Sequence, residues 1–200
     1  RLLHIGSYRH KENLLIFVGD FGSQALNENQ KEFKTTAHLL AIGNDRAHLT
    51  NQIDLPESDK LYIGIQRSDI TNEFQKGLDC VAAYEKTIMQ RMRNYRFSRV
   101  VVAGALRNRS SSGMVPALCK LLSDHNIPNV AVLTLPFTNE KDNTNQCVEK
   151  ALAMLEQYNI TTRITDLSQT YIPPEKTLSR VIADCFYQMI KKEVVRGRFT

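Results

Sequence analysis

"AGALRNRSSSGMVPALCKLL", residues 103–122, carries a short apolar strand through a polar turn into an amphipathic helix beginning near Gly113. A strand–loop–helix junction of this kind aims backbone N–H groups and a helix dipole at an anion. The residues in the turn are unusual for that task. Arg107, Arg109 and the serines Ser110, Ser111 and Ser112 stand where a close-fitting phosphate cradle favours glycines, and only Gly104 and Gly113 flank them. The serines can cap the helix or donate to phosphate oxygens. The arginines read either as solvated loop charges or as anion ligands.

The same alternation extends in both directions. Buried strands are expected at 13–20, 38–45, 60–65, 99–103 and 129–135, with a weaker one at 161–167. Amphipathic helices are expected at 23–34, 72–95, 113–125 and 143–157, with a last one from about 176. The helix over 72–95 is the longest, with Phe74, Leu78, Val81, Ile88 and Met92 recurring on one face. Near-continuous apolar strands between amphipathic helices predict an α/β fold: a doubly wound, mostly parallel sheet with helices on both faces. Ligands of such folds bind beyond the carboxyl ends of the strands. The loops at 19–25, 43–46, 104–113 and 136–140 therefore share one rim. There is no internal repeat or linker, so residues 1–200 read as a single domain.

Composition sets further bounds. The chain has 200 residues, 42% apolar and 24% charged, as in an ordinary globular protein. No apolar run approaches the roughly 18–20 residues needed to span a bilayer, and the N-terminal run is too short for a secretory signal. Cys80, Cys119, Cys147 and Cys185 are far apart on expected apolar helix faces, which reads as free thiols in a reducing cytosol. A cytoplasmic location is the expectation. No Cys/His spacing resembles a zinc site. The net charge is +5, and Lys86 to Lys120 holds eight basic residues and no acid. Those residues straddle a strand and so fall at opposite ends of the sheet, which argues against a nucleic-acid surface.

On the rim, "VGDFGSQALN" (18–27) places Gly19 and Gly22 where they can take positive φ or admit a phosphate, or where they simply make a tight connection. Ser23 reads as a first-turn helix residue or a phosphate donor. Asn44 and Asp45 can reach a ribose or base, or cap the following turn. "TLPFTNE" (134–140) adds Pro136 and Glu140, the latter alternatively a helix-start acid.

The order and spacing of these pieces resemble the N-terminal GTP-binding domain of the tubulin/FtsZ superfamily, from about residue 14 to 190. The family's first glycine loop matches Gly19-Asp20-Phe21-Gly22-Ser23-Gln24-Ala25 after Val18, and its Ile-Asn-Thr-Asp matches Ile42-Gly43-Asn44-Asp45. Its signature glycine loop falls on Leu106 to Gly113, followed by Met114-Val115-Pro116. Val130 to Phe137 nearly reproduces the next strand, and Glu140 stands at the ribose-contacting acid. Ile172-Pro173-Pro174-Glu175-Lys176 and Ala183-Asp184 align with segments near the base, Asp184 with the acid that faces guanine.

What the resemblance implies is a site for GTP or GDP, with Mg2+ entering only if nucleotide binds. The departures weaken that implication. Of the signature glycines Gly113 alone remains, Pro174 replaces the guanine-recognising Asn, Thr144 replaces an Arg, and the segment before the third helix is shortened to 67–77. The second domain and the loop with catalytic acids are not expected in this chain, so no catalytic residue is assigned. Three lost polar contacts, at about 1–3 kcal/mol each, weaken affinity several-thousandfold. The expectation is a degenerate GTP site on a cytoskeletal or cell-division assembly regulator. Its partner would be an FtsZ-like or tubulin-like protein, or a second copy. The alternative is a working GTP-binding switch or GTPase in which Arg107 and Arg109 replace glycine N–H donors. A further alternative is that the sequence is part of a longer protein.

Overall fold

The computed structural model describes residues 12–66, 72–107, 109–136 and 143–196. Six strands form one all-parallel sheet in the order β3-β2-β1-β4-β5-β6. They are β1 (Asn13–Val18), β2 (Ala37–Gly43), β3 (Lys60–Tyr62), β4 (Arg99–Ala105), β5 (Asn129–Leu135) and β6 (Thr161–Asp166). β1 is buried at all six positions, because a central strand covered on both faces has no solvent side to alternate with.

The pleat sorts these runs into two cores. Leu14, Ile16, Val18, Val100 and Val102 face one side, where they meet α3 (Glu73–Ala83), α4 (Glu85–Met92), α5 (Ser111–Asp124) and α6 (Asn143–Gln157). Leu15, Phe17, Val101, Ala103 and Val132 face the other, against α1 (Gly19–Lys34), α2 (Arg46–Gln52) and α7 (Leu178–Arg196). The expected doubly wound architecture is present.

The boundaries differ most from the sequence expectation in four places. The helix expected over 72–95 is two helices, broken at Tyr84 (φ −110°, ψ 13°). Its Oη donates to the carbonyl of Gly64 at 3.0 Å, so a tertiary bond coincides with the break where no local breaker exists. Tyr84→Phe should cost about 1 kcal/mol, read as a lower urea midpoint at unchanged m-value. β3 ends at Tyr62 rather than at 65. α2 stands where only a turn was expected. α1 starts at Gly19, so the expected 19–25 loop is the opening of a helix.

The basic stretch 86–120 does not form a common patch. Arg91 donates to the carbonyls of Ser58 (2.7 Å) and Lys60 (2.6 Å), tying α4 to the start of β3. Arg99 pairs with Glu193 of α7, and Lys120 with Asp124. Cys80, Cys119 and Cys185 carry free thiols, and burial pushes all three up from their ordinary value. Among the described residues no helix is long and apolar enough to cross a membrane.

Candidate functional site

The strand order reverses between β1 and β4, so the chain leaves these two neighbours into α1 and α5 side by side at one rim. Val18 pairs with Gly104, which brings the two strands to the same level. The next residue, Gly19, takes φ +72°, a conformation that side chains rarely adopt. A Cβ there would lie 2.9 Å from Cβ of Ser111, so the first turns of α1 and α5 press together. Neither Val18 nor Ser110, the residues preceding these helices, offers a side chain to a helix N–H. Two adjoining helix starts without side-chain caps favour an anion in front of them.

In front of them lies a cleft of about 1140 Å³. Gly19, Asp20, Phe21 and Gln24 of α1 form one wall, and Arg109, Ser110 and Ser111 another. Asn44 and Asp45 continue it after β2, with Arg46, His48, Asn51 and Gln52 of α2, and Glu73 and Lys76 of α3 close the far side. The cations and carboxylates nearly balance. Glu73 lies 3.8 Å from Lys76, and Asp45 Oδ1 accepts the His48 N–H at 2.9 Å as the cap of α2. Asp20 stands exposed in the first turn of α1. Arg46 lies over the Tyr62 ring at 4.3 Å, whereas Arg109 is exposed without an acidic partner among the described residues.

The residues singled out in the sequence divide into two groups. Gly19, Gln24, Asn44, Asp45, Arg109, Ser110 and Ser111 converge on the cleft. Gly22, Ser23, Gly104, Arg107, Ser112 and Gly113 are absent from its lining. A Cβ at Gly22 would sit 3.2 Å from the Ala103 carbonyl oxygen, so this glycine lets α1 lie close on β4. Gly104 does the same for α5, its Cβ position falling 2.4 Å from Val115 Cγ2. Gly113 faces α3, where a Cβ would fall 2.0 Å from the Phe74 carbonyl oxygen. Ser23 is fully buried, its Oγ without a partner.

Arg107 lies with its guanidinium 4.5 Å from the centre of the Phe21 ring, behind the cleft wall. Burial, and after it the charge of Arg109, lowers its pKa from the ordinary value. Pro136 is half-buried at the end of β5. Glu140, Asn108 and residues 67–71 lie outside the described residues.

The serine hydroxyls are already engaged. Ser110 Oγ donates to Asn44 Oδ1 (3.0 Å), Ser111 Oγ to the Ala105 carbonyl (3.0 Å), and Ser112 Oγ to the Arg107 carbonyl. Asp184 is engaged as well: Lys176 Nζ lies 2.9 Å from Oδ2 and Arg180 Nε 3.1 Å from Oδ1. Arg180 also reaches across to α1, 2.7 Å from Glu28 Oε2, and that bond, with the nearby charge of Asp184, raises its pKa from the ordinary value. Asp184 therefore sits in an α1–α7 bridge and does not line the cleft. Among the described residues no group of three or more His, Cys, Asp or Glu side chains could hold a metal ion.

The α2 and α3 contributions had no counterpart in the sequence reading. "RAHLTNQ" is too short to show helical periodicity, and its signal was Asp45 as a cap. The matching signal for α3 is Asn72, whose Oδ1 accepts the N–H groups of Phe74 (3.0 Å) and Gln75 (3.2 Å).

No protein-family model matches the sequence, and no curated protein matches it. Solved structures do. The empty FtsZ dimer of M. jannaschii superposes with a TM-score of 0.78 at 19% identity, over 92% of this chain and 54% of that one. The GTPγS-bound CetZ2 protofilament of Haloferax volcanii gives 0.74 at 18% identity, over 92% and 57%. The TubZ protofilament of bacteriophage PhiKZ gives 0.68 at 11% identity, over 88% and 54%. The fold is tubulin/FtsZ-like, and the chain spans a little over half the length of these structures.

Proposed function

We propose, from this tubulin/FtsZ-like fold, that the chain is an assembly partner of filament-forming proteins of the same fold and acts through protein contacts. GTP hydrolysis is not its working activity. The observation that carries this reading is the prior engagement of its polar groups. The hydroxyls of Ser110, Ser111 and Ser112 each donate within the protein, so each must exchange an existing acceptor before it can donate to a phosphate, and Asp184 is ion-paired with Lys176 and Arg180. Asp20 adds a negative charge at the helix start where a phosphate would sit. Pro174 supplies no side-chain hydrogen bond to a base. Three such losses at about 1.4 kcal/mol each move a micromolar GTP site to the millimolar range. Fold neighbours that form dimers and protofilaments support an FtsZ-like or tubulin-like partner, or a second copy of this chain.

The test is phosphate release from GTP with Mg2+ present, by the chain alone and mixed with a filament-forming protein from the same source. The expected result is no release above background by the chain alone, and a changed rate for the mixture. Turnover by the chain alone would refute the reading.

A second reading, a GTP-binding switch, is favoured by one specific feature: the two adjoining helix starts without side-chain caps, opening on a cleft of about 1140 Å³. Its signature is micromolar GTP binding that the exposed cleft variant Arg109→Glu abolishes.

A further inference from the structure

β6 is an outer strand of the sheet, and no described strand pairs with its free side. The opposite edge is blunted: β3 has three residues, and Arg91 of α4 holds the Lys60 carbonyl. β6 has six residues in unbroken register with β5, no proline, and β-branched side chains at Thr161, Thr162, Ile164 and Thr165. An edge of this length without proline or bulge is a template for a further strand. Its one cation guards it little, because Arg163 is paired with the buried Glu193. Among the described residues the exposed large apolar side chains are Ile164 (43%), Tyr171 (78%) and Ile172 (37%), all in β6 or just after it. The carbonyls of Thr162 and Asp166 accept from Arg163 Nη1 and Thr170 Oγ1 at 3.3 Å, long bonds on which a strand's N–H groups would improve.

We infer that β6 pairs antiparallel with β6 of a second copy, closing a two-fold dimer with one continuous sheet. The order of side chains selects both this occupant and its register. Arg163 and Thr165 turn to α7, where they meet Glu193 and Met189, so Thr162, Ile164 and Asp166 share the other face. A two-fold axis normal to the sheet opposes residues of like face. Centred on Arg163, it would set two guanidinium groups against each other. Centred on Thr165, it would set Ile164 against a carboxylate. Centred on Ile164, it joins the two exposed isoleucines at the axis, Thr162 faces Asp166 of the second copy, and no like charges are opposed. The strand carries one cation and one carboxylate, so it matches its own reversed image better than a charged peptide. Such an interface is isologous and closed, and it yields a dimer rather than a filament. It uses neither the rim cleft nor a nucleotide and is independent of the assembly reading.

The experiment is sedimentation velocity of the chain without nucleotide, from about 1 to 300 µM, a range suited to a small interface. A monomer–dimer equilibrium at roughly tens of micromolar is expected. Ile164→Lys sets two ammonium groups at the axis and should weaken dimerisation about tenfold or more. Thr162→Lys sets a cation against Asp166 in both halves and should tighten it about threefold. Circular dichroism of both variants establishes that they are folded. A monomer at every concentration, a dimer indifferent to Ile164→Lys, or weakening by Thr162→Lys would overturn the inference. So would a monomeric chain whose binding to a filament-forming protein is lost in Ile164→Lys, a result that gives the edge to a foreign strand. The assembly reading is judged separately, by pelleting, and does not depend on dimerisation.

Discussion

Gly113→Ala should be destabilised by about 3 kcal/mol or more, a drop of roughly 6–12 °C in melting temperature for a chain of this size. The new methyl group would lie 2.0 Å from the Phe74 carbonyl oxygen and 3.0 Å from the Leu78 nitrogen. These are backbone atoms of α3, so no rotamer change makes room and the two helices must separate. The contact is reciprocal. A Cβ at Gly77 would fall 2.1 Å from the Ser110 carbonyl oxygen and 2.7 Å from the Met114 nitrogen, and Gly77→Ala should behave alike. Because Ser110 is part of this crossing, pushing α3 from α5 also shifts the edge of the cleft. Gly43→Ala is the control: its nearest neighbour is Leu49 at an ordinary 3.6 Å, and its stability should stay within about 0.5 kcal/mol of the parent. Urea midpoints of the three variants decide the matter.

Glu193→Ala should cost about 2–3 kcal/mol, below the roughly 3–5 kcal/mol for stranding a buried charge, because both arginine partners keep contact with water. Glu193 is 3% exposed on α7 and joins two strands on the far side of the sheet. Arg163 of β6 donates to its Oε1. Arg99 of β4 lies 3.6 Å from Oε2 and donates to its carbonyl at 2.7 Å. Removing the carboxylate takes this partner from the Arg163 side chain, 38% exposed, and the Arg99 side chain, 24% exposed. A paired replacement, Glu193→Leu with Arg163→Met, should recover part of the loss, because it removes one guanidinium together with the carboxylate while Arg99 keeps its charge. Equal destabilisation of the single and paired variants would show that packing, not charge, governs this position.

The fold was legible because central parallel strands need apolar residues on both faces. "NLLIFV" and "NVAVLTL" are read directly as β1 and β5, and the doubly wound order follows from the helices between strands. What escaped was set by tertiary contacts. Tyr84 sits within a helical pattern, and its break coincides with a bond to Gly64 twenty residues earlier. α2 has seven residues, of which only His48 and Leu49 are buried, too few to mark a face.

The candidate site shows the same division. The rule that ligands sit beyond strand ends points to Gly19, Asn44, Asp45 and Arg109, which share one cleft in the structure. A glycine such as Gly113 announces that something approaches its backbone without saying what. Here the neighbour is α3. Nor does a carboxylate in sequence reveal its partners, and Asp184 is held by Lys176 and Arg180.

The most direct test of the assembly reading is pelleting of a filament-forming tubulin/FtsZ-fold protein from the same source, with GTP, as this chain is added below equimolar amounts. The account predicts a changed pelleted fraction that does not require the chain to bind or hydrolyse GTP, and that persists in Arg109→Glu. An unchanged pelleted fraction, with the chain left entirely in the supernatant, would contradict it.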